Sequence, residues 1–172
     1  QRLTLTVRRR PGNPQQGIMR VAGRVFYCAL GRSGVVNVKR EGDGGTPRGS
    51  FGLLFVYRRG FLPRIRPGKL PSQAITAEDG WCDAVGDRNY NRPVRLPYPA
   101  SHETMLRNDR LYDVVVVMDH NVTQRMKRGG SAIFFHIARP DYSPTEGCVA
   151  ISPEAMGWIL PRLGSDSRIV VL

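Results

Sequence analysis

Lysine is nearly missing from this chain: Lys39, Lys69 and Lys127 are the only lysines among 26 basic residues, which leaves 23 arginines against 14 acidic residues. Cysteine is sparse too. Cys28, Cys82 and Cys148 contain no C-x-x-C pair, and that spacing argues against a structural zinc site. An odd count leaves at least one thiol free. If an oxidising compartment pairs two of them, Cys28 with Cys82 is the pairing that spares Cys148. The three histidines, His102, His120 and His136, lack ligand spacing as well, so a metal hydrolase is disfavoured and no metal or other cofactor is expected. No run of 18 apolar residues occurs, so no membrane span is expected. Internal repeats, low-complexity tracts and any recognisable helix-turn-helix, zinc-finger or single-strand-binding signature are also missing, which argues against a specific nucleic-acid-binding domain.

What is present suits a single folded domain over residues 1–172. Hydrophobic residues make up 41%, enough for a sizeable core and too many for a wholly disordered chain. The net charge of +12 is carried almost entirely by arginine, whose planar fork grips carboxylates and phosphates. Nucleic acid, an anionic lipid surface and an acidic cell-wall polymer all match that charge. Gln1 opens the chain without a charged-then-apolar leader, and this end does not decide export.

Along the chain, strand patterns dominate. Leu3–Val7 alternates apolar and polar residues; Ile18–Val21 and Arg24–Leu30 read as a hairpin around Ala22-Gly23. A strand over Val35–Lys39 precedes a glycine-rich loop from Gly42 to Gly49, which leads into a strand over Ser50–Tyr57. Residues 58–100 carry repeated prolines, so this stretch is loop with at most short edge strands. Ser101–Asn108 is expected to form a short helix with Ser101 as its N-cap. Asp113–Asp119 and Ala132–Ala138 read as central strands. Ser152-Pro153-Glu154 opens a helix reaching about Leu163, with Pro161 as an early stop, and Arg168–Leu172 is a last strand. The fold class is mainly β with one or two short helices.

The chemistry concentrates between Phe134 and Val149. His136 ends an apolar strand, a loop with Pro140 and Pro144 follows, and Gly147-Cys148 precedes a short apolar run and the helix. Nucleophilic catalysis by cysteine needs a thiol that can be deprotonated, a base in reach and backbone N–H donors for an oxyanion. A glycine before the cysteine permits backbone angles that aim N–H groups at one point. Taken alone, a histidine at a strand end and a cysteine before an apolar run are more often packing residues.

At this segment the chain resembles the L,D-transpeptidase catalytic domain, the YkuD-like family. Thr145-Glu146-Gly147-Cys148-Val149 stands where that family carries Ser/Thr–His–Gly–Cys and a hydrophobic residue, and Phe135-His136 stands at its strand-end histidine. Gly45-Thr46-Pro47-Arg48-Gly49-Ser50-Phe51 is similar to its Thr-Pro turn. Glu146 replaces the usual basic residue, Ile137 the usual glycine after the histidine, and Ala150 a polar position. The resemblance implies a β-sandwich with Cys148 as nucleophile and His136 as general base. Gly147, with Cys148 and Glu146, would line the oxyanion hole through backbone N–H groups. A backbone carbonyl near Ile137 would orient the imidazole, with Asp141 as a side-chain alternative. The implied reaction is acyl transfer on peptidoglycan stem peptides: Cys148 attacks the carbonyl of the third stem residue, and an amine resolves the thioester to a 3–3 or 1–3 link.

Around this centre, Arg139, Tyr142, Glu146 and His120 are candidate substrate-binding residues. Asp87–Arg92 is a candidate cap on the pocket, and Trp81-Cys82-Asp83 a candidate apolar wall. The resemblance further implies a periplasmic or cell-wall-facing location, and the chain is expected to act as a monomer. The alternatives are an L,D-carboxypeptidase that uses water on the same thioester, and a basic nucleic-acid-binding domain. If the arginines serve an acidic wall polymer, binding to peptidoglycan sacculi should weaken as salt rises, since screening shortens to about 8 Å at physiological ionic strength. Parallel salt series on sacculi and DNA measure this. Salt-resistant, sequence-selective DNA binding without sacculus binding would overturn it.

Overall fold

The computed structural model describes residues 2–172. The antiparallel meander of β1 (Thr4–Arg10), β2 (Asn13–Val21) and β3 (Arg24–Ala29) opens the chain. Ala22 and Gly23, both at positive φ (46° and 78°), make its second turn, the backbone form that matches the right-handed twist of a tight hairpin. Two-residue strands β4 (Val35–Val36) and β5 (Thr46–Pro47) pair in parallel. The strand expected over Val35–Lys39 is thus cut short. Lys39, Arg40 and Gly45 all donate to the Asp43 carboxylate, and the chain turns there instead of extending.

Next comes β6 (Gly49–Arg58), the longest strand, then the short strands β7 (Ser72–Ala74), β8 (Asp79–Cys82), β9 (Arg92–Arg95) and β10 (His102–Thr104). The helix expected over Ser101–Asn108 is not formed. His102–Thr104 instead pairs antiparallel with Cys82–Gly80, and Met105 is fully buried beyond it. Strand pairing and burial outweigh a local helical preference that is worth only tenths of a kcal/mol per residue, roughly 0.7 at most for ordinary residues.

The C-terminal half supplies β11 (Val114–Met118), β12 (Phe134–Ile137), β13 (Val149–Ile151), helix α1 (Pro153–Ile159) and β14 (Arg168–Val171). β6 pairs with β14 through Gly49–Gly52 and with β11 through Leu53–Arg58. The order β11-β12-β13-β3-β2-β1-β14-β6 therefore returns to β11. The architecture is mainly β and sandwich-like, with one short helix.

Strand alternation splits the interior into two layers. Val114, Val116 and Met118 of β11, Phe135 and Ile137 of β12, and Val149 and Ile151 of β13 point into the main core, where Ala155, Met156 and Ile159 of α1 close it. Val115, Val117, Phe134 and Cys148 point the other way, into a second cluster with Trp81, Met105 and Tyr112. The long proline-rich stretch is thus the cover over the outer face of β11 and β12. Both faces of β11 are dry, which explains its unbroken β-branched run. Cys28 lies in the main core and Cys82 in β8, and both are free thiols, as is Cys148, so the Cys28–Cys82 pairing is not made.

Ser152 caps α1 by accepting from the Ala155 N–H at 3.1 Å, with Pro153 as the first helical residue. The helix ends at Ile159 and tightens to a 3₁₀ turn over Leu160–Arg162, where Pro161 cannot donate. Ser152→Ala should cost about 1 kcal/mol, read as a lower denaturant midpoint at unchanged m-value.

Candidate active site

β12 and β13 run side by side in parallel, with His136 level with Ala150 and Phe135 level with Val149. Cys148 immediately precedes β13 on the face that also carries His136. Two residues of rise and one strand spacing put their Cα atoms about 8 Å apart, close enough for the side chains to meet. Both line a cavity of about 270 Å³, walled also by Glu103, Arg107, Leu111, Tyr112, Arg139 and the run from Ser143 to Glu146.

The imidazole is pinned. Its Nδ1 lies 2.8 Å from the Ile137 carbonyl; because a carbonyl only accepts, Nδ1 carries the proton and Nε2 keeps a free lone pair. Tyr112 packs edge-on against the ring at 5.3 Å between centroids. Burial lowers the His136 pKa to about 4, against the opposing pull of the Ile137 carbonyl, and the positive charge of Arg107 lowers it further. Cys148 is pushed the other way, up to about 12, chiefly by burial and then by the negative charge of Glu103. Its Sγ accepts from the Phe134 N–H and donates to the Ala132 carbonyl, both at 3.3 Å. At neutral pH the pair is therefore a neutral thiol beside a neutral base.

The turn before Cys148 depends on its glycine. Gly147 has φ +137°, and a Cβ there would stand 2.7 Å from the Gly45 carbonyl oxygen. The Thr145 hydroxyl accepts from the Gly147 N–H at 3.1 Å and donates to the Cys148 carbonyl at 2.8 Å. Gly147 thus supplies the backbone angle while its own N–H is engaged. The N–H groups of Glu146 and Cys148 have no hydrogen-bond partner among the described residues. Below the turn, the Thr46 hydroxyl accepts from the Gly31 N–H at 2.8 Å. The flanking backbone holds Thr145 from both sides, through Thr145 N–H to Leu30 and Arg32 N–H to Thr145. The Gly45-Thr46-Pro47 turn is thus the floor of the cysteine turn.

Comparison with known families matches residues 14–171 of this chain to the L,D-transpeptidase catalytic domain (YkuD). The chain belongs to that family. No curated protein and no solved structure matches it. Members of the L,D-transpeptidase family act on peptidoglycan in the cell wall, and no helix among the described residues is long and apolar enough to cross a membrane.

Against that family frame the other candidate residues separate. Arg139 and Glu146 border the cavity. Arg139 is exposed and makes no ion pair among the described residues, whereas Glu146 accepts from Arg32 Nε at 3.0 Å across the surface. Tyr142 lies off the cavity, over Ala29, Ala138 and Ala150 and edge-on to Tyr27. His120 borders a different depression, with Nε2 2.9 Å from the Gly129 carbonyl. Asp87–Arg92 is not a cap on the cavity but a prop behind it. Buried Asn91 accepts from Ala132 N–H at 3.0 Å and from Trp81 Nε1 at 2.9 Å, fixing the segment whose carbonyl holds the Cys148 thiol. Ser131 donates to Glu41 through its N–H and hydroxyl, at 2.9 and 2.6 Å. Glu103, Arg107 and Tyr112, all on the cavity wall, escaped sequence reading because no pattern links them to the cysteine.

Gly147→Ala should abolish acylation of Cys148 and cost about 1–3 kcal/mol of stability, since alanine must leave this φ region or displace the Gly45 carbonyl. Thermal melts together with intact-mass detection of the acyl-enzyme measure both effects.

Proposed function

We propose that this L,D-transpeptidase-family domain cross-links peptidoglycan through a Cys148 thioester. The observation that carries the reading is the pinned imidazole: with Nδ1–H held by Ile137, Nε2 is the free base of the cavity that Cys148 shares. As a stem peptide binds, Nε2 takes the thiol proton and sulfur attacks the carbonyl of the third stem residue. The Cys148 and Glu146 N–H groups stabilise the oxyanion. Collapse expels the terminal residue as an amine, which takes the proton back from the imidazolium, and leaves an acyl-enzyme. An acceptor amine then attacks the thioester, restoring the thiol and forming the cross-link. Arg139 at the rim binds a stem carboxylate as a charge-assisted pair. This activity places the domain facing the cell wall.

Because thiol and imidazole are both neutral at rest, the base form of His136 persists in acid. A lowered imidazole pKa keeps the base unprotonated down to about pH 4, and activity is lost below that as the ring charges. The acid limb of kcat/KM should therefore fall near pH 4 rather than near the ordinary histidine value of about 6.5. His136→Ala should lower turnover by about 10²–10⁴-fold, and Cys148→Ala should form no adduct. Muropeptide mass spectrometry, with intact-mass analysis, reads donor, acceptor and any hydrolysis together. An adduct retained in Cys148→Ala, or an acid limb near 6.5 that His136→Ala leaves unmoved, would sink this assignment.

A further inference from the structure

Glu103 is a carboxylate that forms no ion pair among the described residues, standing where the reactive cavity opens outward. Strand β10 presents it, through pairing with Trp81 of β8. It lines the Cys148–His136 cavity and also an open groove of about 560 Å³ formed with Thr104, Leu106, Arg107, Asn108 and Asp109. The nearest candidate counter-ion is already committed. Arg107 gives Nε and Nη2 to the two Asp109 oxygens at 2.9 and 2.7 Å, and Glu103 forms no ion pair among the described residues. A single hydrogen bond fixes Glu103: the Tyr112 hydroxyl donates to Oε2 at 2.6 Å. That same tyrosine packs on the His136 ring. The Glu103 charge reaches the sulfur, since it ranks next to burial among the causes that raise the Cys148 thiol.

A partly buried carboxylate without a partner is costly unless its ligand supplies the opposite charge. The donor stem brings carboxylates, which Glu103 repels. Water, the acceptor in hydrolysis, needs no counter-ion. A primary amine arrives as an ammonium and must lose a proton before its lone pair can attack. Resting on the transpeptidase reading above, we propose that Glu103 is the acceptor-binding residue: it receives the ammonium of the acceptor strand through this groove and removes its first proton.

R–NH₃⁺ gives one proton to the Glu103 carboxylate and becomes R–NH₂. The nitrogen lone pair forms a bond to the thioester carbon. The C–S bond breaks with its electron pair on sulfur. The second amine proton passes through His136 Nε2 to the Cys148 sulfur, and the proton on Glu103 leaves to solvent. The products are an amide, a neutral thiol and one proton. Burial raises the Glu103 pKa while the Tyr112 hydroxyl lowers it, with burial the larger influence, so the carboxylate is a better base than an exposed one.

The test compares two acceptors on one acyl-enzyme. A stem tetrapeptide acylates the wild type, Glu103→Gln and Glu103→Asp; each is then offered an amine-bearing stem peptide or O-methylhydroxylamine, which is uncharged at neutral pH. Mass spectrometry reads the ratio of the two amide products. Glu103→Gln, which can still accept from Tyr112, should lower the ammonium-to-neutral ratio by about 10²-fold. Glu103→Asp should give an intermediate ratio and guards against misfolding of the first variant. A ratio unchanged in both variants, or both products falling together, would overturn the proposal, the second result marking Glu103 as structural. Absence of any acyl-enzyme in the wild type would be a different failure, because it would remove the transpeptidase reading and this inference with it.

Discussion

The parallel pairing of β12 with β13 sets where chemistry can happen in this protein. One register, His136 opposite Ala150, puts the imidazole and the Cys148 sulfur on the same face and turns Phe135 and Val149 into the core. A slip of one residue would exchange these sets and bury the wrong side chains. The register is protected from both sides. Inward residues of β12 and β13 meet the main core; on the other face Phe134 of β12 meets the cluster around Trp81 and Tyr112, and Ala150 of β13 packs with Ala29 and Ala138. The proline-rich stretch that looks irregular in sequence helps to dry the outer face through Ile75 and Trp81, while the segment after it, from Glu103 to Tyr112, walls the cavity.

Dryness decides the electrostatics. An exposed cysteine–histidine pair is free to settle as thiolate and imidazolium, each stabilising the other. Here burial disfavours both charges, raising the thiol and lowering the imidazole; the Glu103 charge adds to the first effect and the Arg107 charge to the second, while Arg107 also pulls the thiol partly back down. In the proposed mechanism the thiol stays neutral until substrate arrives, and a neutral thiol is less open to oxidation than a thiolate. The fixed backbone contacts of Ile137, Ala132 and Phe134 hold the two groups in place without charging them.

The arginine excess has two physical uses. Several guanidinium groups are structural: Arg24 and Arg162 lie over Trp158 at 4.6 and 4.1 Å, and Arg10 over the Tyr27 ring at 4.9 Å. These stacked contacts favour arginine over lysine. The exposed remainder, with too few carboxylates to pair with, gives the surface its positive field.

Local pattern was enough to mark the hairpin at Ala22-Gly23, the β-branched run of β11 and the Ser152 cap, because strand alternation, turn chemistry and capping act between near neighbours; His136 and Gly147-Cys148 stood out only through the family resemblance. The family too was legible, since its two motifs are short runs of adjacent residues. Pattern failed at Ser101–Asn108, where pairing with β8 and burial of Met105 overrode a plausible helix. It also missed the contact of Gly45 with Gly147, the props at Glu41 and Asn91, and the wall of Glu103, Arg107 and Tyr112. Each of these joins residues far apart in the chain through polar groups that carry no periodicity. The sequence by itself determined which side chains could do chemistry; which of them share a cavity, and in what ionisation state, was decided by the tertiary structure, because proximity and burial arise only when distant segments pack.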